Sequence, residues 1–253
     1  MSVGKTYILC CPTLKRELLA ALGEEEDKVT NKKATATVKT GELSKPTDTM
    51  RADELSTPTV MYLPAGLHSD PKKLQRHVQE QIDKLTDAMR IIVCPSGCGG
   101  GTIGLRATHG ELILPRTRDC LDILLSGKSL TTLQRPKHSI FLTADWADYM
   151  KQSTLDLDSL VKSKGREAAE TFLRQIYKDF KDFYIIDTGT YNTKEVEEYI
   201  RPLVNVLDGR ILNVKGTYGV LRKIARQQFD DDFLIVPKGG EVPPSYYTID
   251  TDL

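Results

Sequence analysis

The run Thr59-Val-Met-Tyr-Leu63, then Asp70-Pro71, then Leu74, Val78, Ile82 and Leu85, and finally Ile91-Ile-Val-Cys94 decides how the rest of the chain is read. The first and last pieces are short and rich in β-branched and aromatic residues, the composition of buried strands. Between them the apolar residues recur every three to four positions, the helical period, behind an Asp cap and a Pro at the first helical position. The spacing predicts a helix from Pro71 through Met89. A strand, a helix and a strand in that order form a βαβ unit, whose two strands lie parallel in one sheet.

The same alternation extends both ways. Upstream, Thr6–Cys11 reads as a buried strand, and Pro12–Leu22 as a helix with Leu14, Leu18, Leu19 and Leu22 on one stripe. Downstream, Glu111–Pro115 is a strand and Asp119–Leu125 a short helix ended by Gly127. The pattern restarts at His138, with strands at Ser139–Thr143, Phe183–Asp187, Arg210–Val214 and Phe233–Pro237. Helices are expected over Gly165–Phe180, Thr193–Leu207 (through Pro202) and Tyr218–Gln228. The expected architecture is α/β: two Rossmann-like parallel-sheet halves, 1–137 and 138–253, with a cleft between them. One continuous doubly wound sheet is the alternative. The segment Gly23–Pro58, rich in Thr, Lys, Ser and acidic residues, reads as a surface excursion in which Thr35, Thr37 and Val38 could form a hairpin strand. The tail from Glu241 to Leu253 is expected to pack loosely or to join a partner.

The chain has 253 residues, with Lys+Arg 35 against Asp+Glu 35. A formal charge of zero argues against a protein built to hold nucleic acid or an anionic membrane. No apolar run approaches the ~20 residues of a membrane-spanning helix, and Thr6–Cys11 is too short for a signal peptide. The expectation is a cytoplasmic protein. Its five cysteines are an odd number, so they call for burial, redox chemistry or metal binding rather than a disulfide framework.

The cysteines fall at strand ends. Cys10 and Cys11 close the first strand, Cys94 the third, and Cys98 stands in the glycine run Cys98-Gly-Gly-Gly101. Cys120 follows the fourth strand, and His68 the second, in Leu63-Pro-Ala-Gly-Leu-His68. Ligand sites of parallel sheets form at that edge. Cys11, Cys98, Cys120 and His68 are therefore the candidate set for a soft metal, zinc or an iron–sulfur cluster. Gly99, Gly100 and Gly101 allow close backbone approach to a cofactor or small anion. A short helix expected at Thr102–Ala107 would activate Cys98 as a nucleophile. In the second half, Asp187 is a candidate base and Thr188 a candidate binding residue at a strand end; Thr217 could bind an anion at the next one. Capping competes with the roles of Asp187 and Thr217. Trp146 lines the cleft or packs between the halves.

The stretches Cys11-Pro-Thr-Leu-Lys-Arg-Glu17, Leu63–His68, Cys98–Gly101, Pro115–Cys120, Phe141–Thr143 with Trp146, Ile186–Gly189 and Asp232–Pro237 resemble the domain-of-unknown-function 1638 family. The resemblance implies that Cys11, His68, Cys98 and Cys120 share one site, and leaves Cys10 and Cys94 outside it. The family is associated with anaerobes and methanogens, often beside genes for corrinoid methyl transfer. That implies an enzyme or accessory factor in anaerobic one-carbon metabolism, of methyltransferase type, acting on a small-molecule substrate or a corrinoid protein. The alternatives are a carrier of metal, cluster or corrinoid, and a metal-free enzyme with Cys98 as nucleophile.

Overall fold

In the computed structural model of the chain, residues 4–23, 58–95, 97–127, 130 and 135–246 are described. The hairpin strand expected near Thr35–Val38 and the end of the tail fall outside them. The described residues form β1 (Lys5–Cys10), α1 (Lys15–Leu22), β2 (Thr59–Tyr62), α2 (Pro71–Lys84), β3 (Ala88–Val93), β4 (Glu111–Pro115) and α3 (Cys120–Leu125). There follow β5 (Ser139–Leu142), α4 (Ala144–Lys151), α5 (Leu157–Lys164), α6 (Arg166–Ile176), β6 (Asp182–Asp187), α7 (Thr193–Val206), β7 (Arg210–Lys215), α8 (Gly219–Ala225) and β8 (Phe233–Val236).

Among the described residues there are two sheets, as expected. The larger runs β2-β1-β3-β4-β8 and the smaller β5-β6-β7. β2, β1, β3 and β4 are parallel neighbours, as are the three strands of the smaller sheet. The departure is β8. It pairs antiparallel with β4, Ile113 opposite Ile235, and so closes the larger sheet rather than the second half. Val220, Leu221 and Ile224 of α8 also join the core beneath the larger sheet. The expected boundary at 137/138 therefore separates the two sheets only as far as β7.

Both faces of the larger sheet are covered, which is why its strands carry almost unbroken apolar runs. Successive side chains alternate faces. Tyr7, Leu9, Ile91 and Val93 pack with Leu74, Val78 and Ile82 of α2. Ile8, Cys10, Ile92 and Cys94 pack on the other face with Leu18, Leu22 and the α8 residues. Each Leu or Ile buried this way contributes ~1.5–3 kcal/mol over leaving it exposed. The smaller sheet has its own core, where Phe183 and Ile185 meet Leu173, Val196 and Ile200.

Several local expectations are corrected. α2 stops at Lys84, not Met89, because β3 begins at Ala88, with Arg90 opposite both Thr6 and Glu111. The segment 102–107 is no helix; it folds into turns and a bridge of Arg106 to Glu241. The described part of the tail does not pack loosely: Val242 and Tyr246 are buried, and Val242 exchanges backbone hydrogen bonds with Gly104 and Leu105. α4 and α5 are additional helices, capped by the Thr143 and Asp156 side chains.

Candidate active site

In the larger sheet β1 has β2 on one side and β3 on the other, so the connections leaving β1 and β3 diverge. A crevice opens where strand order reverses in this way. β1 ends at Cys10, and Cys11 turns into the short 3-10 segment Pro12–Leu14, which leads into α1. Cys98 comes from the loop after β3, Cys120 from the first turn of α3 after β4, and His68 from the turn after β2. Cys11, His68, Cys98 and Cys120 line one cavity of about 430 Å3 with Thr13, Gly99, Arg118 and Asp119. Leu121 and Leu124 add apolar wall, and Phe141, Thr143 and Trp146 close it from the smaller-sheet side.

The Cys98 loop is held by backbone. Gly97 N–H donates to Thr117 O at 3.0 Å, and Cys98 N–H to Arg118 O at 2.6 Å. Gly97 is required for this approach, since a Cβ there would stand 2.6 Å from Arg118 O. Gly99 and Gly100 take the left-handed φ values, 66° and 90°, that glycine tolerates. The loop thus lays Cys98 beside the start of α3, and both line the same cavity.

The three thiols differ electrostatically. Cys11 Sγ lies 3.0 Å from Thr13 Oγ1, and the same hydroxyl is 3.6 Å from Cys120 Sγ. The Cys120 thiol also hydrogen-bonds Cys11, and this contact with the Thr13 donors outweighs burial and brings Cys11 down to about 7. The same contact, with burial, pushes Cys120 up. Burial, then the charges of Cys11 and Asp119, push Cys98 up to about 12. Of the pair Cys11 and Cys120, these contacts favour the anion on Cys11. The helix expected to activate Cys98 does not form, and burial works against its ionisation. Beside the mouth, Arg118 grips Asp122 through two hydrogen bonds, and Arg135 bonds Asp119 at 2.6 Å while lying over the Phe141 ring.

Among the described residues no three or more His, Cys, Asp or Glu side chains are gathered closely enough to hold a metal ion as they stand. His68 is exposed and meets Tyr149 of α4 edge-on, ring centres 5.9 Å apart.

The remaining expected residues lie elsewhere. Asp187 is not on the cavity; it accepts from Gly189 N–H at 3.0 Å and pairs with exposed Lys215, the capping role that competed with catalysis. Thr188 is buried and donates to Glu17 Oε1 at 2.8 Å. Thr217 donates to Ser126 O, tying β7 to the end of α3. Of the three glycines only Gly99 reaches the cavity wall; Gly101 packs on Leu74 and Pro71, and Gly100 turns the loop. Cys10 and Cys94 are fully buried and hydrogen-bond each other behind the site. The residue that sequence reading missed is Thr13. A hydroxyl two positions after a strand-end cysteine, at a helix entry, was the available signal.

A two-sheet α/β protein with a thiol-lined cleft at the strand ends of its larger sheet is the class these observations define. The chain belongs to the family described as "Protein of unknown function (DUF1638)", matched over residues 62–225. That span takes in His68, Cys98 and Cys120 and part of the cavity wall, whereas Cys11, Thr13 and β1 precede it and β8 follows it. No curated protein and no solved structure matches the chain.

Proposed function

We propose that the chain is an enzyme that uses the Cys11 thiolate as a nucleophile on a small molecule held in the cleft. The observation that carries this reading is Cys11 itself. It opens on the cavity with the Thr13 hydroxyl 3.0 Å from its sulfur and Cys120 across that hydroxyl, and it is the thiol whose pKa is lowered, to about 7. A thiolate needs both ionisation and access to react. The cavity volume suits a small molecule or the reactive end of a larger cofactor. Leu121, Leu124, Phe141 and Trp146 favour a substrate with an apolar or flat face. Thr13 and Cys120 hold charge on the sulfur until the electrophile is in place, and the Cys120 thiol then has a proton to give to a leaving group.

The test is the pH dependence of alkylation by iodoacetamide, with the modified residue located by mass spectrometry. Cys11 reacting first, with a half-maximal rate near pH 7, supports the proposal. Reaction first at Cys98, or no reaction below pH 8.5, overturns it.

A second reading has an observation of its own. Charge on each of Cys11, Cys98 and Cys120 opposes charge on the others around one cavity, with His68 at its wall. A thiophilic cation, zinc or the iron of a cluster, relieves such opposition. The chain would then be a metal-thiolate enzyme of methyl-transfer type or a metal or corrinoid carrier. This reading requires the Cys98 loop to draw inward, because the side chains are not within ligand reach of one another. Metal analysis of anaerobically purified protein separates the two: stoichiometric metal favours the second, and metal-free protein with a reactive Cys11 the first.

A further inference from the structure

All five cysteines of the chain stand at one edge of one sheet, in two layers. In the inner layer Cys10 and Cys94 hydrogen-bond each other in the core, both with no exposed surface. In the outer layer Cys11 and Cys120 share one hydroxyl, Thr13 Oγ1, 3.0 Å from the first sulfur and 3.6 Å from the second. Both outer sulfurs open on the cavity. Two thiols gathered on one hydroxyl and reachable by a small oxidant can exchange oxidising equivalents with each other; two in a sealed core cannot.

We propose that Cys11 and Cys120 form a dithiol that reduces hydroperoxides, with Cys11 taking the oxygen and Cys120 closing the disulfide. In the first step the Cys11 sulfur attacks the distal oxygen of the hydroperoxide. An S–O bond forms, the O–O bond breaks, and the alkoxide or hydroxide that leaves takes up a proton. Cys11 becomes a sulfenic acid and the peroxide is reduced to an alcohol or to water. In the second step the Cys120 sulfur attacks the Cys11 sulfur. The S–S bond forms, the S–O bond breaks, and the hydroxyl leaves as water with the Cys120 proton. The balance is two thiols and one hydroperoxide to one disulfide, one alcohol and one water. Cys98 is a poorer partner, since the Thr13 hydroxyl bridges Cys11 and Cys120 and Cys98 comes from a separate loop.

This inference rests on Cys11 being the reactive thiol of the cleft, and the test separates the two ideas. The full chain, reduced without oxygen and freed of metal with a chelator, is treated with one equivalent of hydrogen peroxide and digested with trypsin. The expected product is a disulfide joining the peptide 6–15 to the peptide 119–128. Peptide 6–15 holds both Cys10 and Cys11, so fragmentation between them places the bond, and it is expected at Cys11. In Cys120→Ser, a near-isosteric change, the Cys11 sulfenic acid is expected to persist and to be trapped by dimedone at least ten-fold more than in the unaltered chain. A Cys10–Cys94 or Cys11–Cys98 bond, an oxidised Cys11 without a disulfide in the unaltered chain, or no gain in trapping in Cys120→Ser overturns the proposal. If iodoacetamide still labels Cys11 near pH 7 in those cases, the nucleophile reading stands and the dithiol alone falls. If it does not, both fall.

Discussion

Glu17 of α1 is fully buried, yet it carries an ionisable group. Its Oε1 accepts from Thr188 Oγ1 at 2.8 Å and from Thr190 Oγ1 at 3.1 Å, while Oε2 has no hydrogen-bond partner among the described residues. Burial raises its pKa, and the neighbouring Asp145 charge adds to the rise against the two threonines. Its folded value thus stands above the unfolded ~4.3. A group raised in the folded state lends stability that is fully present below the unfolded value and lost as pH climbs through the folded one. The loss for one group is at most ~1.4 kcal/mol per pH unit. Glu17→Gln keeps the shape and the acceptor oxygen, and it cannot ionise. Urea unfolding from pH 5 to 9, followed by the fluorescence of the single Trp146, is expected to show the variant at least as stable as the parent at pH 8, with a flatter pH profile. Glu17→Ala is expected to cost ~2–4 kcal/mol at every pH, because it leaves a cavity and removes the acceptor that the Thr188 and Thr190 hydroxyls share. A Glu17→Gln variant more than ~1 kcal/mol weaker than the parent at pH 8, with the slope unchanged, would falsify the reasoning: Glu17 would then be ionised and paired.

Other expected outcomes are simpler. Thr13→Val removes one donor from Cys11, so its alkylation midpoint moves up and its rate at pH 7 falls about two- to ten-fold, the worth of one hydrogen bond of ~0.5–1.5 kcal/mol. Gly97→Ala drives a Cβ into the carbonyls of Arg118 and Thr117 and costs ~1–3 kcal/mol in thermal or urea unfolding, with faster proteolysis in the Cys98 loop. Arg16→Ala breaks the bonds that tie α1 to Asp145 and Asp148 of α4, costs ~1.5–3 kcal/mol, and red-shifts Trp146 emission as the cleft wall loosens. Asp187→Asn leaves Cys11 alkylation unchanged, since Asp187 is a cap away from the cavity; a change of more than about three-fold, or ~0.65 kcal/mol, would contradict that placement.

Strand positions were legible because a doubly covered sheet needs apolar runs, and those runs survive in the letters from Thr6 to Val236. The gathering of Cys11, His68, Cys98 and Cys120 was legible for the same reason, since strand ends in a parallel sheet share an edge. What could not be read locally was which strands pair. Phe233–Val236 looks like any buried strand, and only long-range packing against β4 reveals its direction and its sheet. α5 was hidden because Leu160 is its one buried residue, too thin a stripe to register as a period. The ranking of the thiols was hidden too. It depends on which donors reach each sulfur, and Thr13 acquires its importance only when Cys120 arrives from 107 positions away.

The smaller sheet is made from one uninterrupted stretch, residues 139–215, whereas the larger is stitched together from both sides of it. During synthesis the middle of the chain can close on itself while β4 still lacks its outer neighbour. Leu112, Ile113 and Leu114 then sit on an unpaired edge, the kind of surface on which two nascent chains can zip together. Only when β8 leaves the ribosome does that edge gain its antiparallel cover. The sheet that carries the thiols is therefore the last to be sealed.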